Sequence, residues 1–270
     1  MKTLANHTIL YDAECPMCHI YTKAFVRTGM LDAHGREAYQ QMPEDICPYV
    51  DRQRAVNEIA LVDKTSGEVS YGIQSLFKII AYSFPLFKPL LHFKPFIWLM
   101  SKVYAFISYN RRVIIPVSSN HSDIQPTFKK HYRIAYLLFT WLITSVILSH
   151  YAPLLNGVVS PGNGYREYLI CGGQIIFQAA IISLVAHNKL WKYLGNLMTI
   201  SFAGSLLLLP AIAASKWLNH QPLLFTGYFM LIAAMMFLEH IRRSKLLNIG
   251  WGLTCTWVIY RLLVLVLLLV

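Results

Sequence analysis

Two regimes of hydrophobic patterning divide the chain. Up to about residue 116 apolar residues form short runs and helical stripes between charged turns, and beyond it they form long runs almost free of charge. In the first regime His7 to Asp12 contains the apolar run Thr8-Ile9-Leu10-Tyr11 and reads as a strand. From Pro16 to Arg27 the positions Met17, Ile20, Tyr21, Ala24 and Phe25 recur at steps of three and one, which marks one face of a helix, and Gly29 supplies the stop. Asn57 to Asp63, the turn Lys64 to Glu68, and Val69 to Tyr71 predict strand, turn and strand. A shorter strand is expected around Glu37 to Met42, and helices from Ile73 onward close the domain.

Leu76 to Met100 is unusually apolar, yet Lys78, Lys88, Lys94, Pro85, Pro89 and Pro95 interrupt every candidate span. Phe84 to Met100 therefore reads as lying against the cytoplasmic leaflet or a helical bundle, with its lysines toward lipid head groups. An ordinary buried helix pair fits the pattern equally.

The second regime predicts five spans, because a bilayer core of about 30 Å takes about 20 apolar residues of helix. They run from Ile134 to Tyr151, Tyr168 to Ala186, Tyr193 to Ala214, Pro222 to Leu238 and Ile249 to Val270. A count of four or six follows if the short fourth segment or the region before residue 117 is read differently. Lys129, Lys130 and Arg133 precede the first span, Lys189 and Lys192 separate the second and third, and Arg242, Arg243 and Lys245 separate the fourth and fifth. The alternate loops carry only Arg166 and Lys216. The positive-inside rule then puts the N-terminal domain in the cytoplasm. Met1 to Leu10 also lacks the continuous apolar core of a signal peptide. The expected location is an integral membrane protein, such as one of a bacterial inner membrane.

The expected organisation is a domain over 1–116, a polar linker over 117–128 and a transmembrane domain over 129–270. A net charge of +11 invites a nucleic-acid reading. Its distribution removes that reading: residues 1–116 carry 13 Lys and Arg against 10 Asp and Glu, and residues 117–270 carry 11 against 3, mostly at the ends of apolar runs. No nucleic-acid partner is expected. Arg261 falls near the middle of the fifth span, where a charge must face the bundle or snorkel. Snorkelling is the simpler reading, since the candidate partners Glu167 and Glu239 sit near span ends.

Chemistry concentrates at Asp12, Cys15 and Cys18. A strand followed by Cys15-Pro16-Met17-Cys18 and an amphipathic helix puts both sulfurs at the helix start, within disulfide reach. Pro16 suits the first helical turn. Unpaired N–H groups and the helix dipole should lower the Cys15 pKa, making Cys15 the attacking thiol and the more shielded Cys18 the resolving one. Asp12 reads either as a proton-transfer group or as a carboxylate holding backbone N–H groups of the turn. A zinc site would need further ligands, and the sequence has no second CxxC, CxxH or HxxxH; His19 reads as a solvated helix residue and Cys47 as a loop or packing residue. No cofactor is expected.

Tyr11-Asp12-Ala13-Glu14-Cys15-Pro16-Met17-Cys18 resembles the signature of the DCC family of predicted thiol–disulfide oxidoreductases, named for its Asp-x-x-Cys-x-x-Cys pattern. The hairpin ending at Tyr71-Gly72 is similar to that family's second block. Val103 to Arg112 resembles its closing helix, which ends in an Asn-Arg pair, here Asn110 and Arg111. The resemblance implies an α/β thioredoxin-like N-terminal domain, fused here to an all-α transmembrane helical bundle, and a redox dithiol at Cys15 and Cys18. Ala13 stands where the family usually has Gly, and Val56-Asn57-Glu58 stands where thioredoxins place a proline before the second active-site strand. For Asn110 and Arg111, helix capping and membrane-surface contact are the expected roles.

Cys171 and Cys255 are the candidates for a second redox pair. Their expected depths in the bilayer differ by more than about 10 Å, against the roughly 7 Å of Cα separation that a disulfide allows, so they are expected to be unpaired. The expected function is a membrane-anchored thiol–disulfide oxidoreductase acting on cytoplasmic protein or small-molecule thiols and disulfides. The alternatives are a non-catalytic membrane interaction or transport protein, and a metal carrier using the two thiolates.

Overall fold

The computed structural model describes residues 1–41, 50–116, 126–218 and 221–269. It divides into two compact units, Met1–Tyr132 and Arg133–Val270. Residues 126–132 thus belong with the first unit, where Thr127 is bonded to Asn57 and Gln53. Most of the expected linker, and Cys47, lie outside the described residues.

The first unit is built on a mixed sheet of four strands in the order β2-β1-β3-β4. They are β1 (His7–Tyr11), β2 (Arg36–Ala38), β3 (Ala60–Asp63) and β4 (Val69–Tyr71). Helix α1 (Pro16–Arg27) carries the chain from β1 to its parallel neighbour β2, a connection that parallel pairing requires. β3 pairs antiparallel with both β1 and β4. Side chains alternate across the sheet: Ile9 and Leu61 pack with Leu31, Ile59 and Ile79 under Tyr21 and Phe25 of α1, while Leu10, Ala60 and Val62 pack with Val50 and Ala55 on the opposite face. Both faces are covered, which explains why β1 reads as a continuous apolar run.

Two expectations change. The strand expected from Asn57 begins only at Ala60, because Arg52–Asn57 forms a helix, α2, capped by the Asp51 carboxylate accepting from Arg54 N. The strand expected around Glu37 starts at Arg36 and gives way to a 3-10 turn at Tyr39–Gln41. After the hairpin come α3 (Ile73–Ser83), the short α4 (Lys88–Leu91) and α5 (Lys94–Ile114). Gly72, with φ of +61°, turns the chain from β4 into α3 in a conformation only glycine adopts freely. Phe77 stacks on Phe96, and Ile73, Ala81 and Leu91 join them in a second small core.

The second unit is helical throughout its described residues, apart from short connections: α6 (Lys130–Tyr151), α7 (Arg166–Ala186), α8 (Leu190–Ala214), α9 (Pro222–Leu246) and α10 (Gly252–Leu269). Four helical runs are long and apolar enough to cross a membrane, Lys130–Leu155, Arg166–Ala214, Pro222–Leu246 and Gly252–Leu269. The second run is not one rod. Ala186 leaves helical geometry and a 3-10 turn at His187–Lys189 folds α8 back against α7. Helix α9 continues past the apolar segment Pro222–Leu238 to Leu246 and takes Glu239, Arg242 and Arg243 into its last turns, where Glu239 pairs with both arginines. Leu184, Leu223 and Leu267 point outward, as lipid-facing side chains do. Polar groups turn inward instead: Tyr193 donates to Gln178, His240 contacts Thr254, and Arg243 donates to Asn196.

Arg261 is half-buried on α10. Its guanidinium lies 5.2 Å from the ring of buried Trp257, and its Nε is buried without a hydrogen-bond partner among the described residues. Glu167 pairs with Arg166 and Glu239 with Arg242 and Arg243. Cys171 is a buried free thiol and Cys255 an exposed one.

Candidate redox site

The site forms where β1 ends and α1 begins, at the carboxyl end of the parallel strand pair. Cys15 is the N-cap of α1 and Pro16 its first helical residue, so the missing N–H of proline costs nothing there. The Cys15 sulfur accepts a hydrogen bond from Cys18 N at 3.4 Å, one of the orphan donors of the first turn. Ala13 takes no left-handed backbone, so the turn accommodates alanine in place of glycine without strain. Its N–H donates to Gln40 Oε1, while Gln40 Nε2 donates to Asp12 Oδ1, which ties the turn to the segment after β2.

Asp12 is buried and fully engaged. Oδ1 accepts from Glu14 N at 3.1 Å and from Gln40, and Oδ2 accepts from Arg111 Nη2 at 3.0 Å and Arg112 Nη2 at 3.5 Å. The carboxylate thus holds the turn, as one sequence reading expects, and also an ion pair that the sequence did not indicate.

Arg111 is the main addition, and the roles expected for it and for Asn110 are overturned. Arg111 caps no end of its own helix and faces no surface: it is 4% exposed. From α5 its Nη2 reaches Asp12 and the Val56 carbonyl, the latter at 2.7 Å, and its Nη1 donates to Ser108 Oγ. Ser108, one turn earlier, donates to the Asn57 carbonyl, so these two α5 side chains satisfy carbonyls that the end of α2 leaves open. Arg111 Nε is buried with no hydrogen-bond partner among the described residues. Asn110 is also buried, donating to the carbonyls of Phe106 and Tyr132.

The sulfurs titrate as a pair. Both are free thiols. A hydrogen bond from the Cys15 thiol draws the Cys18 thiol down to about 6; burial opposes this, and the Arg111 charge and a hydrogen bond from Tyr21 reinforce it. Cys15 moves the opposite way, held protonated first by its hydrogen bond to Cys18 and then by burial. The anion of the reduced pair therefore rests on Cys18, which reverses the order expected from the helix start alone. Burial by itself would lower Arg111, but the sulfurs of Cys18 and Cys15 and the Asp12 carboxylate hold it above its ordinary value. Burial and the nearby Asp12 charge push Tyr39 up to about 12.

Exposure also differs from expectation. Cys15 was expected to be the open sulfur and Cys18 the shielded one, yet they are 4% and 3% exposed. Their surroundings are charged and hydrogen-bonded rather than apolar, and Ala13 and Pro16 on either side of Cys15 are exposed, so the pair lies just beneath the surface. His19 is an exposed helix residue set edge-on to Tyr11. Among the described residues no group of three or more His, Cys, Asp or Glu is arranged to hold a metal ion.

Tyr21 and Arg111 are the site residues that sequence reasoning missed. In the sequence Tyr21 belongs to the apolar face of α1 and Arg111 to the end of a helix, and neither position signals the cysteines. Comparison of the chain with family models, with curated proteins and with solved structures found no match.

Proposed function

We propose that the chain is a membrane-anchored thiol–disulfide oxidoreductase of the DCC type, with Cys15 and Cys18 as its redox pair. The carrying observation is geometric: two free thiols at the start of α1, the Cys15 sulfur accepting from Cys18 N, lie beside the buried Arg111–Asp12 pair, and a nearby cation and a helix start both favour the thiolate, the reactive species. Support for the family reading comes from the two ends of the resemblance, since the aspartate of the signature and the arginine of the closing Asn-Arg pair meet in one ion pair. The parallel β1-α1-β2 unit, continued by the β3-β4 hairpin and α3, agrees with a thioredoxin-like arrangement.

The proposed reaction begins with the pair becoming uncovered. Cys15 passes its proton across the S–H···S bond to Cys18, and the Cys15 thiolate attacks a substrate disulfide. A mixed disulfide forms and one substrate thiolate leaves. Cys18 then gives up its proton, to the departing thiolate or to water, and attacks the Cys15 sulfur. The Cys15–Cys18 disulfide forms, the second substrate thiolate leaves, and two electrons have moved from the dithiol to the substrate; the reverse sequence oxidises a substrate dithiol. Arg111 holds the negative charge throughout and Asp12 positions Arg111. The substrates in this reading are protein or small-molecule thiols and disulfides on the cytoplasmic side, a location for the first unit that the lysines and arginines flanking the apolar helices support.

The test is thiol trapping with Cys18→Ser. A covalent adduct through Cys15, absent when Cys15 is also replaced, is the expected result. Absence of any adduct, together with a total alkylation profile showing no titration near pH 6, would leave an interaction protein instead, and stoichiometric metal lost with either cysteine would leave a metal carrier.

A further inference from the structure

The segment between α3 and the middle of α5 buries one face and leaves the other in the open. Leu91 and Phe77 pack inward, whereas every residue from 84 to 90 is exposed. Leu86 is 86% exposed, and Phe87, Leu90, Phe93, Trp98 and Leu99 join it at the surface. Isolated exposed apolar residues need no explanation, but a contiguous group of large ones marks a surface that something covers.

Charge identifies the cover. Lys88, Lys94 and Lys102 are exposed on the same segment, and none has a carboxylate partner among the described residues. No Asp or Glu occurs anywhere between Glu68 and Asp123. Lys102 lies 5.9 Å from the ring of Trp98, which places an ammonium group and an indole together, as interfacial anchors are placed. Lys88 and His92 also line a groove of about 690 Å³ whose wall includes Phe77 and Leu91 and whose one carboxylate, Glu68, is paired with Lys78. Aliphatic and aromatic side chains among lysines that no acid neutralises are complementary to an anionic lipid surface. The second unit has helical runs long and apolar enough to cross a bilayer; with the chain anchored by them, weak contacts suffice for occupancy at the resulting high local concentration.

We propose that residues 84–102 dock on the surface of an anionic bilayer, with Leu86, Phe87, Leu90 and Trp98 entering the interface and Lys88, Lys94 and Lys102 meeting lipid phosphates. This is independent of the redox reading. The test is hydrogen–deuterium exchange of the full chain in nanodiscs of phosphatidylcholine alone and of phosphatidylcholine mixed with phosphatidylglycerol. Amide exchange across 86–93 should be at least about tenfold slower in the anionic discs, and high salt should remove the difference. K88E/K94E/K102E should do the same without altering the alkylation of Cys15 and Cys18. Salt dependence in the unaltered chain keeps the test decisive if the triple variant fails to fold. Exchange equally slow in both discs and in detergent would mean that protein covers the segment, and exchange equally fast in both discs would mean that water does. Either result overturns the proposal.

Discussion

Asp12 and Arg111 stand 99 residues apart in sequence and join at 3.0 Å through Oδ2 and Nη2, both buried. Arg111 is the nearer of the two cations on Asp12, and the sulfurs of Cys18 and Cys15 share its charge. Removing one member of such a pair typically costs about 3–5 kcal/mol, because the remaining charge stays buried. Arg111→Met should fall at the lower end, near 3 kcal/mol, since Asp12 keeps Arg112, Gln40 and Glu14 N. It should also raise the first titration of the dithiol from about 6 toward the ordinary 9.0. The pH dependence of alkylation checks the second effect and a melt of the solubilised chain the first.

The lowered Cys18 pKa makes stability depend on pH and redox state. The thiolate contributes stability fully above its ordinary value of 9.0, and the contribution is lost as pH falls through about 6. The raised Cys15 acts in reverse above 9.0, where the unfolded chain ionises and the folded one does not. The melting temperature of the reduced protein, relative to the oxidised, should therefore rise from about pH 6 to about pH 9 and fall beyond it. A flat difference would remove the charge from the pair.

Gln40 offers a control that spares the charges. It joins Ala13 N to Asp12 Oδ1, and Gln40→Ala should cost about 1 kcal/mol, the net worth of a typical hydrogen bond or two. The pH profile of alkylation should move little. A shift as large as that of Arg111→Met would mean that turn geometry, not the guanidinium, sets the thiolate.

In the helical unit, Tyr193 donates to Gln178 at 2.8 Å and contacts His240, bridging α8 to α7 and α9. Tyr193→Phe should lower stability by about 0.6 kcal/mol and no more than about 1.7, because polar groups released inside a bilayer find other partners. Steric trapping in bicelles measures it.

Local signals were legible and long-range ones were not. The Thr8–Tyr11 run, Pro16 and the Gly29 stop located β1 and α1 because each acts within a few residues. Helix α2 went unseen: Arg52–Asn57 is six residues long, mostly polar, and held by the Asp51 cap and two buried side chains, Ala55 and Val56. Arg111 looked like a cation at a helix end, and only the fold brings it to Asp12. The apolar runs of the second unit were plain in composition. Their apolar residues spread around each helix, so periodicity did not tell that Gln178, Tyr193 and His240 face inward. The break at Ala186 carries no glycine or proline to announce it.

The depth of the two sulfurs has a kinetic meaning. A thiol pair that must be uncovered before it reacts exchanges with the ambient glutathione pool no faster than it opens, whatever its reduction potential. On the proposed redox reading, partners able to pry the turn apart would gain a head start over every bystander oxidant, and selectivity would reside in recognition of the cover rather than in the electrochemistry beneath it.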